Sequence, residues 1–150
     1  MITKKILSQV ELFEGISAES LARFAQIAEE VNCEDGEIIF QEGDQAACIY
    51  ILHKGKVNLQ VQLTSRPENL IVAVLSKQSQ TFGWSGVVAP YYYTATAKCK
   101  AETRLIKLNG KELIKILDDD KHAGYLFMMR IAQMISNRLR ISRQALFRTF

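Results

Sequence analysis

Apolar residues near the N-terminus recur at helical spacing. Ile6, Val10 and Phe13 fall on one face, and Leu21, Phe24, Ala25 and Ala28 fall on another behind Ser17. A hydroxyl residue just ahead of such a run predicts a capped amphipathic helix, because its oxygen accepts from a free first-turn amide. After Asn32 the period shortens to two. Segments 37–40, 48–52, 57–63 and 70–75 are short and rich in branched and aromatic residues, and several alternate apolar with polar. The turns Asp35-Gly36, Glu42-Gly43-Asp44, Lys54-Gly55-Lys56 and Ser65-Arg66-Pro67-Glu68-Asn69 separate them. Two further strands are predicted at 93–99 and 103–108, and helices return at 111–117 and from about Lys121 onward. Short, evenly spaced strands between helical ends predict a mainly β chain with flanking helices, a jelly-roll sandwich or barrel.

The last helix has an unusual pattern. Phe127, Ile131, Met134, Ile141 and Ala145 form one seam, interrupted by Arg138. Met128, Ala132, Ile135, Leu139 and Leu146 form a second, interrupted by Ser142. Both step by four and three, the coiled-coil rhythm. One seam suffices to dock a helix on its own barrel, whereas two need a second surface. A homodimer is therefore expected, with Met128, Ile131, Ile135, Leu139 and Leu146 at its interface. Packing of both seams within the monomer is the alternative.

Composition narrows the classes. The 150 residues amount to about one domain, and 48% hydrophobic with 23% charged is the balance of a globular chain. No apolar run approaches the roughly 20 residues of a membrane span. The N-terminus is interrupted by polar residues too early for a signal peptide. A cytoplasmic protein without a membrane partner is expected. Cys33, Cys48 and Cys99 lack metal or redox spacing and are expected to be small buried hydrophobes. His53, on an alternating strand, is expected at the surface, far from His122 and without a thiolate partner, so no metal site is predicted. The net charge is only +3, yet six cations and no acid lie between Lys121 and Phe150, with Asp118-Asp119-Asp120 just ahead. Part of that asymmetry complements a helix dipole; a contact with an acidic partner or nucleic acid remains open.

Candidate chemistry concentrates in Phe82-Gly83-Trp84-Ser85-Gly86, followed by Pro90-Tyr91-Tyr92-Tyr93-Thr94-Ala95-Thr96-Ala97. A short turn of free backbone amides with a serine hydroxyl suits an anion. This stretch resembles the phosphate-binding cassette of the cyclic nucleotide-binding domain family. Glu34-Asp35-Gly36-Glu37 through Asp44, Ile49 through Val57, and Leu12-Phe13-Glu14-Gly15-Ile16-Ser17 resemble the rest of that family in order and spacing. The resemblance implies a double-stranded β-helix of eight strands, with N-terminal helices over 1–31, the roll over 32–108 holding the cassette at 82–97, and C-terminal helices over 109–150. It also implies that Phe82, Gly83, Trp84, Ser85, Gly86, Tyr92, Tyr93 and Thr94 surround a ligand. It further implies a two-fold dimer through the last helix, which lids that ligand.

Two positions depart from the family pattern. Where the family carries a glutamate for the ribose hydroxyl and an arginine for the cyclic phosphate, this chain carries Trp84 and Tyr93. A related catabolite-activator-like variant often has arginine between two tyrosines, and here Tyr92 stands there. Without a bidentate guanidinium and a sugar-binding carboxylate, weak cyclic nucleotide binding is expected. The family's transcription regulators continue into a helix-turn-helix that this sequence lacks, so sequence-specific DNA binding is not expected. No nucleophile–base pair, Walker loop or paired carboxylates occur, so no catalytic residue and no cofactor are predicted. The expectation is a non-enzymatic regulatory module for a small anionic ligand; the alternative is a ligand-free dimerisation or scaffolding module.

Overall fold

The run from Cys48 to Leu52 is buried throughout, which a strand with one wet face would not allow. In the computed structural model this strand, β3 (Cys48–Lys54), has an apolar layer on each side. Ile49 and Ile51 face a cluster of helices, while Cys48, Tyr50 and Leu52 face the interior of the roll. Period-two alternation is preserved in direction and hidden in polarity. The structure describes residues 2–65 and 67–149, and of residues 145, 146, 148 and 149 only the helical backbone.

Two four-stranded antiparallel sheets form the roll. The first orders β1 (Ala28–Cys33), β8 (Thr103–Asn109), β3 and β6 (Thr81–Phe82). The second orders β2 (Ile38–Phe40), β7 (Thr96–Cys99), β4 (Val57–Gln62) and β5 (Asn69–Leu75). β5 does not alternate simply, since both Val72 and Leu75 are buried. A register shift against β4 between Leu59 and Gln60 explains this, because a bulge rotates later side chains to the other face. Tyr93 lies outside β7, which starts later than the expected strand, and the two-residue β6 was not expected.

Helices α1 (Lys4–Ser8), α2 (Ala18–Ile27), α3 (Gly110–Asp119) and the first half of α4 (Lys121–Thr149) pack with the outer face of the first sheet, and α4 also meets β5 of the second. Caps set their starts. Ser17 accepts from the Ser20 amide at 3.2 Å, as the sequence predicts, and Asn109 accepts from Glu112 at 3.1 Å. Asp120 accepts from the Ala123 amide at 3.1 Å and from the Ser20 hydroxyl at 2.7 Å, so one carboxylate caps α4 and ties it to α2. The Ser20 hydrogen bond, followed by the Ala123 amide, holds the Asp120 carboxyl below its ordinary value.

The expected helical boundary at residue 31 is wrong. Pairing begins at Ala28, which lies opposite Leu108, and Glu29 faces Lys107 across the ladder. Cross-strand pairing outweighs the weak β-preference of Ala-Glu-Glu. His53 is half-buried rather than at the surface. All three cysteines are buried and free, as expected.

α4 divides the two predicted seams. Phe127 and Ile131 sit in the monomer's own core, with Phe127 stacked on Phe13 at 6.3 Å between ring centroids. Ile131, expected at a dimer interface, is 2% exposed and belongs to that core. The second seam is split: Met128 is 40% and Leu139 57% exposed, whereas Ile135, also expected at a dimer interface, is half-buried against that core. The side chains of Ala145, Leu146 and Arg148 lie outside the described residues. Among the described residues no helix is long and apolar enough to cross a membrane.

Candidate functional site

Gly83 turns the chain out of β6 with φ +77°, a left-handed conformation that glycine adopts at little cost. A Cβ there would meet Tyr50 at 3.2 Å and Phe40 at 3.3 Å, so the site is doubly closed to side chains. The 3-10 turn Trp84–Gly86 follows. The Gly86 amide donates to Gly83 and the Val87 amide to Trp84, so these two donors are spent within the turn. Gly86 lies against the backbone of Cys48 and of Gly110, where any Cβ would collide. Its glycine is a packing requirement.

Between this turn, the roll and α4 lies a cavity of about 320 Å³. That is near the lower end, about 300 Å³, of ordinary small-molecule sites. Phe40, Leu59, Val61 and Val72 form its inner wall. Gly83, Trp84 and Ser85 form one edge and Tyr93, Thr94 and Ala95 the next. Ile135, Arg138, Leu139 and Ser142 of α4 close the roof. A wider, open groove of about 940 Å³ runs past Gln41, Gln60 and Gln62, and holds none of the expected ligand residues.

Five of the eight expected residues therefore meet at one cavity: Gly83, Trp84, Ser85, Tyr93 and Thr94. Three do not. Phe82 is fully buried beneath it, stacked on Tyr50 at 5.5 Å. Gly86 faces Cys48. Tyr92 is 54% exposed and pairs by a β-bridge with Gln45, because alternation about Tyr93 turns it outward.

Tyr93, expected beside a ligand, is engaged within the fold. Its hydroxyl donates to the Cys48 carbonyl at 2.7 Å, and its ring stacks on Phe40 at 3.7 Å with an interplanar angle of 11°. Burial pushes the phenol up to about 12, so it stays neutral. A neutral phenol already bonded to the backbone cannot serve as a charged anchor.

The sequence reading missed the roof. Arg138, which interrupts a seam, lies with its guanidinium carbon 4.9 Å from the centroid of the Trp84 ring. Burial draws its guanidinium below the ordinary value, and no carboxylate pairs with it among the described residues. The signal available beforehand was a cation at a position that periodicity assigns to the core. Ile135 and Leu139, expected only at a dimer interface, also line the cavity.

The turn, the two-sheet roll and α4 thus surround one cavity. The chain belongs to the cyclic nucleotide-binding domain family, whose model matches residues 30–120. It is 27% identical to a candidate cyclic nucleotide-binding protein from Geobacter metallireducens, with a TM-score of 0.79 over 93% of this chain and 99% of the other. The N-terminal domain of a transcriptional regulator from Streptomyces coelicolor is 25% identical, with a TM-score of 0.72 over 94% of both. The cAMP-activated global transcriptional regulator of Mycobacterium tuberculosis is 25% identical over 109 residues, 73% of this chain and 48% of the relative. The chain spans less than half the length of curated relatives it matches, 48% of that regulator and 11% of a cGMP-dependent protein kinase of Drosophila melanogaster.

Proposed function

We propose that this chain is a non-enzymatic regulatory module that binds a small anionic ligand beneath α4, prefers it to cyclic nucleotides, and reports occupancy through that helix. One observation carries the reading: the cassette and α4 enclose a single cavity, and within it the cassette presents hydroxyls and rings but no charged group. Loss of the carboxylate at position 84 and the guanidinium at position 93 leaves a cyclic nucleotide without its two polar anchors. Coupling is direct, since Ile135, Arg138, Leu139 and Ser142 meet the ligand space on the helix that carries the signal. Membership of the cyclic nucleotide-binding domain family supports the regulatory part of this reading.

The open face of α4 supports a homodimer. Tyr125, Met128, Ala132 and Leu139 are exposed along one stripe, at steps of three, four and seven. A two-fold pairing of α4 would cover it and place two cavities beside one interface.

Isothermal titration with cyclic AMP and cyclic GMP tests the ligand preference. Dissociation constants weaker than about 1 μM, or −8 kcal/mol, are expected. Tighter binding of either nucleotide overturns the proposed preference.

A further inference from the structure

Arg138 is the only charged side chain lining the cavity among the described residues. Two other arginines of α4 have oxygen acceptors: Arg130 donates to the Leu12 and Glu14 carbonyls, and Arg140 to Asn137 at 2.7 Å. Among the described residues Arg138 has only the Trp84 ring. A half-buried guanidinium without a carboxylate is costly, and a ring face offsets only part of that cost. The ring nevertheless positions the fork while leaving its N–H donors unspent.

We propose that Arg138 anchors a small organic anion in this cavity, one with a single carboxylate head on an apolar or aromatic body. This rests on the reading of the cavity as a ligand site. The head meets the fork from α4, and Ser142, four residues further along the same helical face, offers a hydroxyl beside it. The body lies against Leu59, Val61 and Val72. Those walls argue against a nucleotide, whose sugar hydroxyl and ring nitrogens would be buried with few partners. A monocarboxylate has no polar group beyond its head, so the apolar wall costs it nothing. The anchor has thus moved from the cassette to the helix that closes over the ligand. Binding and helix position become one event.

Trp84 is the only tryptophan, so its emission reports the cavity in the full chain. Phenylacetate and octanoate serve as probes, with phenylacetamide and octanamide as their uncharged counterparts. At least one carboxylate should saturate the Trp84 signal, and its amide should bind about tenfold more weakly or worse. Arg138→Gln should weaken that carboxylate by a similar factor, and Arg138→Lys should recover part of the loss, since it keeps charge without the fork. Isothermal titration repeats these measurements, because replacing Arg138 alters Trp84 emission directly. Ala95→Phe, which fills the cavity with Arg138 intact, should abolish binding; circular dichroism verifies the fold of each variant.

Equal affinity for acid and amide, or unchanged affinity in Arg138→Gln, overturns the proposal. So does the failure of both carboxylates to bind. Tight cyclic AMP binding that is indifferent to Arg138→Gln would overturn the anchor while keeping the cavity as a ligand site. Absence of saturable binding by every probe, cyclic nucleotides included, would remove the regulatory reading as well.

Discussion

At the scale of single residues, commitments already made inside the fold decide what is left for a ligand. The Tyr93 proton goes to the Cys48 carbonyl, and Tyr93→Phe should lower stability by about 1 kcal/mol in urea unfolding, since a buried acceptor then loses its donor. An unchanged unfolding midpoint would refute that assignment. The cysteines titrate in the opposite sense from a reactive thiol. Burial, followed by a hydrogen bond with Glu37, pushes Cys33 up to about 12, and burial also raises Cys48 and Cys99. Folding favours the neutral thiols, so their contribution is complete below the ordinary thiol value of 9.0 and is lost as pH rises toward about 12. Stability measured by urea should fall through that alkaline window, and a thiol reagent at neutral pH should label the unfolded chain far faster than the native one. Rapid native labelling of Cys33 would contradict its burial.

At the scale of elements, α4 has two jobs along its length. Its first half is a core helix: Phe127 and Ile131 are buried with Phe13 and Phe24 in the helical cluster. Phe127→Ala should cost about 3–5 kcal/mol by denaturant unfolding, because the rings around it cannot fully collapse into the space. A cost below about 1 kcal/mol would mean that α4 docks less firmly than its burial implies. The second half roofs the cavity through Ile135, Arg138, Leu139 and Ser142. The periodicity of α4 was legible from its sequence, but not the partner of each face. β1 shows a parallel limit. Its residues suit the end of a helix locally, and only the ladder to β8 makes them a strand.

At the scale of the whole molecule, the exposed stripe on α4 is the feature most in need of a second surface. Light scattering at tens of micromolar is expected to give the mass of a dimer. Met128→Glu should shift that equilibrium to monomer while the roll stays folded, since Met128 lies outside the cavity and Ile135 does not. A monomer in the unmodified protein would refute the dimer and leave α4 as a roof alone. Where the dimer forms, a ligand held by Arg138 acts on the helix that joins the two copies.

The sequence by itself determined the mainly β roll, its turns, the Ser17 cap, the burial of the cysteines and the cassette. Each is written in local spacing: period two or 3.6, a hydroxyl before an apolar run, glycine at a corner. Tertiary structure decided what local spacing cannot carry. It turned Tyr92 outward, spent the Tyr93 hydroxyl on Cys48, drew Ala28–Cys33 into the first sheet and placed Ile131 in the core. It also set Arg138 over Trp84, across more than fifty residues of chain. Such contacts depend on how α4 crosses the roll, a packing outcome summed over many side chains. The cation that gives the cavity its charge therefore lies outside the motif that first marked the site.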